Sequence, residues 1–189
     1  TDLMDDARRT LDLRLEANVA DGTRLTRLAG MEGTVSVPSA SRLKGRLTAR
    51  ATAYAADLML SAAGGSMTTR LKADTRTEQY AVTATARALP LGRLLPGSGL
   101  SPFSGSVKVA GRGFDPTALA SRLMAEADIR RLAAGQAVLD GIQIKAESAG
   151  GKARADFSAD NAFAKGRGSL TAAWGRLSEA TLTADIDEV

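Results

Sequence analysis

The sequence contains no cysteine and no histidine. It therefore has no disulfide and no catalytic thiolate, and it lacks the Ser-His-Asp and Cys-His arrangements and every zinc site with an imidazole ligand. Aromatic residues make up only 4% of the chain. No stretch approaches the ~18 apolar residues of a membrane-spanning helix, and no signal peptide is evident. These absences predict a protein that is not an enzyme and binds neither a metal nor a cofactor.

The composition is that of one folded domain. Hydrophobic residues account for 44% of 189 positions and charged residues for 24%, and 36 positions are alanine. The net charge is +4, but both signs are scattered along the chain. Without a run of like charges, the basic balance indicates a solvated polar face rather than a nucleic-acid partner. Because the chain begins with Thr1, we interpret it as a fragment of a larger protein.

Apolar and polar residues alternate along most of the chain. Leu11, Leu13 and Leu15 share one side of a segment whose other side carries Asp12 and Arg14. A period of two is typical of a half-buried β-strand, and its recurrence predicts ten to twelve strands. Hairpin turns are predicted at Gly64-Gly65, Gly150-Gly151 and Asp160-Asn161. Short helical turns are predicted at Leu89–Pro96 and Asp115–Ala120, and more weakly at Thr23–Leu28.

Two pairs of similar segments indicate an internal repeat. Met31–Val37 matches Phe103–Val109, and Asp57–Gly65 matches Gln143–Gly151. We therefore predict a single elongated domain over residues 1–189, with a first repeat at about 28–98 and a second at about 99–189. The fold class is all-β: a curled antiparallel or mixed sheet, shaped as a trough, with one or two short helical turns.

The alternation predicts one apolar face. Its candidate residues, taken from eight predicted strands along the chain, are Leu58, Leu60, Leu71, Val82, Val107, Val109, Ile129, Ile142, Ile144, Phe157 and Leu170. Many neighbouring positions are alanine, which would underfill a sandwich core of ordinary density. The face could line an open trough that an acyl chain fills, or it could be the dry core of a β-sandwich or solenoid stalk that binds no ligand.

Motifs that resemble chemical sites are weak. Ser41-Arg-Leu-Lys44 has the spacing of serine acyl enzymes but lacks their companion motifs. Gly97-Ser-Gly99 and Gly111-Arg-Gly113 do not complete a phosphate loop and indicate turns or bulges. Asp185 and Asp187 are too few for a calcium site. Arg130-Arg131 could bind an anion, and it is explained equally well as a strand end beside a turn.

From Ala88 to Trp174 the chain resembles the TamB family of AsmA-like envelope proteins. The resemblance is carried by an ordered set of short motifs: Leu89-Pro-Leu-Gly92, Gly105-x-Val107-x-Val109, Gly111-Arg-Gly-Phe-Asp-Pro116 followed by Leu119, Asp140-Gly-Ile-Gln-Ile144, Gly150-Gly151, and Gly166-x-Gly168-x-Leu170. Residues 28–86 resemble a second copy without the Gly-Phe-Asp-Pro insert.

The resemblance implies a periplasmic segment of a protein anchored in the inner membrane of a didermal bacterium. Its repeats would form a β-taco, a trough with an apolar interior. It implies roles in outer-membrane protein assembly, protein secretion and phospholipid transport, with an acyl chain or a client β-strand shielded in the trough. The implied partners are phospholipid or an outer-membrane protein client, and an Omp85-type outer-membrane protein reached through parts absent from this sequence. No catalytic residues belong to the family.

Overall fold

A computed structural model describes residues 10–28, 36, 38–100, 102–115, 118–134, 137–161, 165–173 and 176–188. These residues form twelve strands and two short helices. In chain order they are β1 (Thr10–Val19), α1 (Gly22–Leu28), β2 (Ser41–Arg50), β3 (Ala53–Ala62), β4 (Gly65–Asp74), β5 (Gln79–Pro90), α2 (Leu91–Leu94), β6 (Pro102–Arg112), β7 (Arg122–Ala134), β8 (Ala137–Leu139), β9 (Ile142–Ala149), β10 (Lys152–Asp160), β11 (Lys165–Ala173) and β12 (Arg176–Glu188).

All described strands belong to one antiparallel sheet. Its order is β1-β2-β3-β4-β5-β6-β7-β9-β10-β11-β12, and the short β8 pairs only with β7. The predicted all-β class is confirmed, and of the two predicted forms, antiparallel or mixed, the described strands adopt the antiparallel one. The sheet is single, open and uncurled, which differs from the curled sheet we expected, and none of the described pairs is parallel. The trough shape stays a prediction.

Tight turns join neighbouring strands where the sequence has glycine. Ala63 and Gly64 link β3 to β4 with φ of 45° and 87°, and Gly150 and Gly151 link β9 to β10 with φ of 60° and 77°. Two positive φ values define the type I′ turn, whose twist matches a right-handed hairpin. The first turn lies one residue before the predicted Gly64-Gly65, because Gly65 already pairs with Ala62.

The other predicted turns have mixed outcomes. Asp160 is the last residue of β10, and residues 162–164 of the predicted Asp160-Asn161 hairpin lie outside the described part. Helix α1 begins at Gly22, one residue before the predicted Thr23, and the Asp21 carboxylate accepts hydrogen bonds from the N–H groups of Thr23 and Arg24 at 3.0 and 3.3 Å. Helix α2 lies within the proline-bracketed segment 89–96, as predicted. No helix occurs in the described residues of 115–120, which form turns.

Two β-bulges flank Ser104 on β6. On one side Arg87 and Ala88 of β5 lie opposite this residue, and Ala88 donates its N–H to the Ser104 hydroxyl at 2.9 Å. On the other side Arg130 is the additional residue of β7. A bulge adds one residue to a strand, so the residues beyond it exchange faces. Before the bulge the even-numbered residues of β5 face the apolar side, and beyond it the odd-numbered Leu89 does. The interpretation of Arg130-Arg131 as a strand end was wrong, because β7 continues to Ala134.

The repeat is tested only in part. Residues 31–35 and 37 of the first match lie outside the described residues. The second match aligns the β3–β4 hairpin with the β9–β10 hairpin, although the two turns differ by one residue in the alignment. The division into repeats at residues 28–98 and 99–189 stays a prediction.

Very little of the described chain is buried. Its only buried hydrophobic residues are Ala62, Ala86 and Leu89, which lie near the same end of β3 and β5. The sheet is one layer, and each long strand is stabilised by hydrogen bonds and side-chain contacts with its neighbours in the sheet. The described residues therefore do not form the dry core that a sandwich or a filled solenoid requires within one chain.

Candidate functional site: the apolar face

The pairing register places apolar side chains in continuous rows that cross the sheet from β1 to β11. The first row consists of Leu13, Leu47, Ala56, Leu71, Val82, Val109, Ala125, Ala146, Ala155 and Leu170. The next consists of Leu15, Gly45, Leu58, Thr69, Ala84, Val107, Ala127, Ile144, Phe157 and Gly168. Directly opposed residues of an antiparallel pair point to the same face, so both rows lie on one side.

Two more rows flank these. One consists of Ala17, Leu43, Leu60, Met67, Ala86, Gly105, Ile129, Ile142, Ala159 and Gly166; the other consists of Leu11, Ala49, Tyr54, Ala73, Tyr80, Gly111, Leu123, Ser148, Ala153 and Ala172. We call these four rows of ten positions the apolar face. None of its positions carries a charge, and besides the two tyrosines only Thr69 and Ser148 are polar.

All eleven residues proposed from the sequence lie on the apolar face. Ten of them are half-buried by their lateral neighbours, and Leu170 is 39% exposed. Sequence reasoning did not include Leu43, Leu47, Met67 and Leu123, which share the face. The alternation within β2, β4 and β7 was the signal that could have found them.

Large side chains lie over the glycines of the apolar face. A Cβ built on Gly111 would lie 2.5 Å from the Tyr80 ring, directly across the strand pair. The Phe157 ring covers Gly168 in the same way, and Leu58 covers Gly45. An aromatic ring that covers a cross-strand glycine compensates for the missing side chain. These contacts flatten the face, because large side chains extend over the glycines and fill the space that a side chain there would occupy.

The opposite face is charged. Oppositely charged residues face each other across strand pairs, with Lys44 Nζ 3.1 Å from Glu16 Oε1 and Arg70 Nε 3.3 Å from Asp57 Oδ1. Arg46 donates from Nε to Asp12 at 2.8 Å, and this hydrogen bond lowers the pKa of the Asp12 carboxyl below its usual value. Exposed pairs contribute little to stability. Their main effect is to keep this face hydrated.

The charged face also carries a depression. It has a volume of 670 Å³ and is lined mainly by outward-facing residues of β2 to β6, among them Arg50, Lys72 and Arg112. Short side chains such as Ala55 and Ala81 also line it. Depressions of this kind form on any charged sheet surface where long charged side chains stand beside alanines. We therefore base the candidate site on the apolar face, which is the more unusual surface.

The size of the apolar face exceeds what a soluble monomer ordinarily exposes. Ten strands about 4.8 Å apart and four rows about 6.8 Å apart give roughly 1,000 Å². The largest apolar patch on a typical monomer is about 300–600 Å², and larger patches mark binding surfaces. The arrangement provides an extended, level, uncharged surface that can bind an apolar ligand or a second apolar surface.

No family model, curated protein or solved structure matches this chain. The TamB resemblance therefore stays a prediction. Neither of the two described helices has the length and hydropathy needed to cross a membrane. Over the described residues, no group of three or more acidic side chains is placed to hold a metal ion.

Proposed function

We propose that this chain is a non-enzymatic, periplasmic segment of a TamB-like envelope protein, and that its apolar face shields acyl chains or client β-strands during phospholipid transport, outer-membrane protein assembly or secretion. One observation carries the proposal: forty uncharged positions form a face that is open to solvent, on a sheet whose other face is charged. The TamB resemblance supplies the envelope setting, and an Omp85-type partner would bind through other parts of the parent protein.

The energetics favour acyl chains as occupants. A fully buried methylene contributes about 0.8 kcal/mol, and a chain that lies on one surface buries about half of each methylene. A sixteen-carbon chain would thus gain about 6 kcal/mol before the cost of its lost freedom. One acyl chain therefore offsets only the lower estimates of the association cost, about 4 kcal/mol, whereas the two chains of a phospholipid together gain about twice as much and bind more firmly. This gain needs no specific polar contact, and the uncharged face provides none.

Native mass spectrometry of the purified chain, with lipid extraction and uptake of added phosphatidylglycerol, tests the proposal. Ile144→Asp places a charge on an inner strand of the apolar face and should abolish lipid binding. Gln143→Asp is the matched control, because Gln143 precedes Ile144 on β9 and is exposed on the charged face. Leu60→Asp tests the other half of the sheet, and circular dichroism verifies that each variant folds.

A lipid-free chain that takes up no phosphatidylglycerol would contradict the acyl-chain proposal. Equal loss of lipid in Ile144→Asp and Gln143→Asp would contradict the role of the apolar face. Client β-strands are tested separately, by asking whether the chain suppresses aggregation of a denatured outer-membrane protein and whether Ile144→Asp removes that effect. A chain with neither property would be a spacer in its parent protein.

A further inference from the structure

Strand β1 lies at an edge of the sheet. It pairs with β2 on one side, and none of the described strands pairs with its other side. An open edge presents unpaired N–H and C=O groups that favour pairing with another strand. Its apolar-face side chains are also more exposed than those of the inner strands, with Leu11, Leu13 and Leu15 at 42%, 43% and 40%. Among the described strands these leucines have lateral neighbours on one side only, so a further strand would cover them.

The side chains of β1 are complementary to a second copy of the same strand. When two copies run antiparallel with Leu15 opposite Leu15, Arg14 of each copy lies opposite Glu16 of the other. Asp12 then lies opposite Asn18, and Leu13 lies opposite Ala17. All nine residues from Leu11 to Val19 are paired: apolar residues with apolar ones, Arg14 with Glu16, and the Asp12 carboxylate with the neutral amide of Asn18. Cross-strand pairs of opposite charge stabilise a sheet, and like charges destabilise it.

The neighbouring registers are poorer. With Arg14 opposite Arg14, two arginines meet and Asp12 lies opposite Glu16, so every charged pair is repulsive. With Leu13 opposite Leu13, the charges match, but only the seven residues from Thr10 to Glu16 pair within β1. Arg14 also gains most from the favoured register, because inside its own chain the residue directly opposite it is Arg46.

We propose that the β1 edge is a homodimer interface, in which two copies pair antiparallel with Leu15 at the centre. The two-fold axis is then perpendicular to the sheet, so both apolar faces lie on the same side and form one surface across twenty strands of a twenty-two-stranded sheet, twice the eleven of each copy. At about 4.8 Å per strand this surface spans about 100 Å. Such an interface uses the same edge on both copies and closes at two.

Sedimentation equilibrium over a range of concentrations tests the interface by charge exchange. Arg14→Glu places two glutamates opposite each other on both sides of the central Leu15 pair, and we expect the dimerisation constant to fall about tenfold. This variant should fold, because the new carboxylate lies opposite Arg46 of its own chain. Exchanging both residues, Arg14→Glu with Glu16→Arg, restores the opposite charges and should restore the dimer. Arg70→Glu, an equal charge change on the inner strand β4, should leave dimerisation unchanged.

Four results would overturn the interface: a monomer at every concentration, no effect of Arg14→Glu, no recovery in the double variant, or a mass that grows beyond two copies. If association is unchanged in the charge variants but lost in Ile144→Asp, the copies meet through their apolar faces instead. Lipid binding by the Arg14→Glu monomer distinguishes this interface from the proposed function, because either one can fail without the other.

Discussion

Truncation of two leucines distinguishes an open face from a packed core. Leu89 is 5% exposed and Leu170 is 39% exposed. Replacement of leucine by alanine removes three carbons, or about 2.4 kcal/mol of transfer free energy when they are fully buried. At Leu89 the cavity left behind adds to this, for a total loss of about 3 kcal/mol. At Leu170 roughly three fifths of the side chain is covered, and correction for a compact unfolded chain leaves about 1 kcal/mol.

The free energy of unfolding is measured by urea denaturation followed by circular dichroism, at a protein concentration below that of any self-association. An unchanged m value ensures that the variants differ in stability alone. The control is Arg167→Ala, an exposed charged-face residue of the same strand as Leu170, which should change stability by no more than about 0.5 kcal/mol. If Leu170→Ala costs as much as Leu89→Ala, the apolar face is packed against another layer and the open-sheet reasoning is refuted.

Two further predictions concern turns between neighbouring strands of the sheet. Ala63 has a positive φ, which is costly for alanine but suits asparagine before glycine in a type I′ turn. Ala63→Asn should therefore raise the free energy of unfolding by about 0.5–1 kcal/mol. An unchanged midpoint of urea denaturation would contradict this prediction. Hydrogen bonds from the backbone N–H groups of Thr77 and Arg76 lower the pKa of Asp74 from 3.8. A carboxyl group whose pKa is lower in the folded state stabilises the fold at pH values above its unfolded-state pKa. This stabilisation is lost as the pH falls through the folded-state pKa. The stability advantage of the natural chain over Asp74→Ala should therefore be present at about pH 5 and shrink towards about pH 2 in urea titrations, whereas a constant difference would refute the role of the carboxylate.

The two faces of the sheet could be predicted from the sequence because alternation constrains them tightly. A slip of one residue in any pair would turn charged residues such as Arg70 towards the apolar face, while a slip of two keeps the faces. This explains why all eleven proposed residues share one face although the first hairpin turn was placed one residue late. Turns at Ala63-Gly64 and at Gly64-Gly65 both keep Leu58 and Leu71 on the same side, so alternation does not choose between them.

The bulges could not be predicted with equal certainty because they depend on the partner strand. Arg87-Ala88 and Arg130-Arg131 both interrupt the alternation, and an interruption is compatible with a strand end or with a bulge. In the folded chain both lie opposite Ser104, and the alternation resumes at Leu89 and Leu132 with the apolar side chains returned to their face. The change of phase was visible in the sequence, but its cause is a pairing between distant segments.

Curl is harder to predict because it is a sum of small angles. Adjacent strands are rotated by roughly 10° to 35° relative to each other, and eleven strands along the path of this sheet have ten such junctions. Small differences at each junction accumulate into a large change of overall shape, while every residue keeps its face. The alternation of Leu58, Leu71 and Val82 is thus the same in an open sheet, a trough and a closed barrel. The property on which binding depends, an uncharged face continuous across ten strands, is independent of curl, because register and side-chain alternation alone create it.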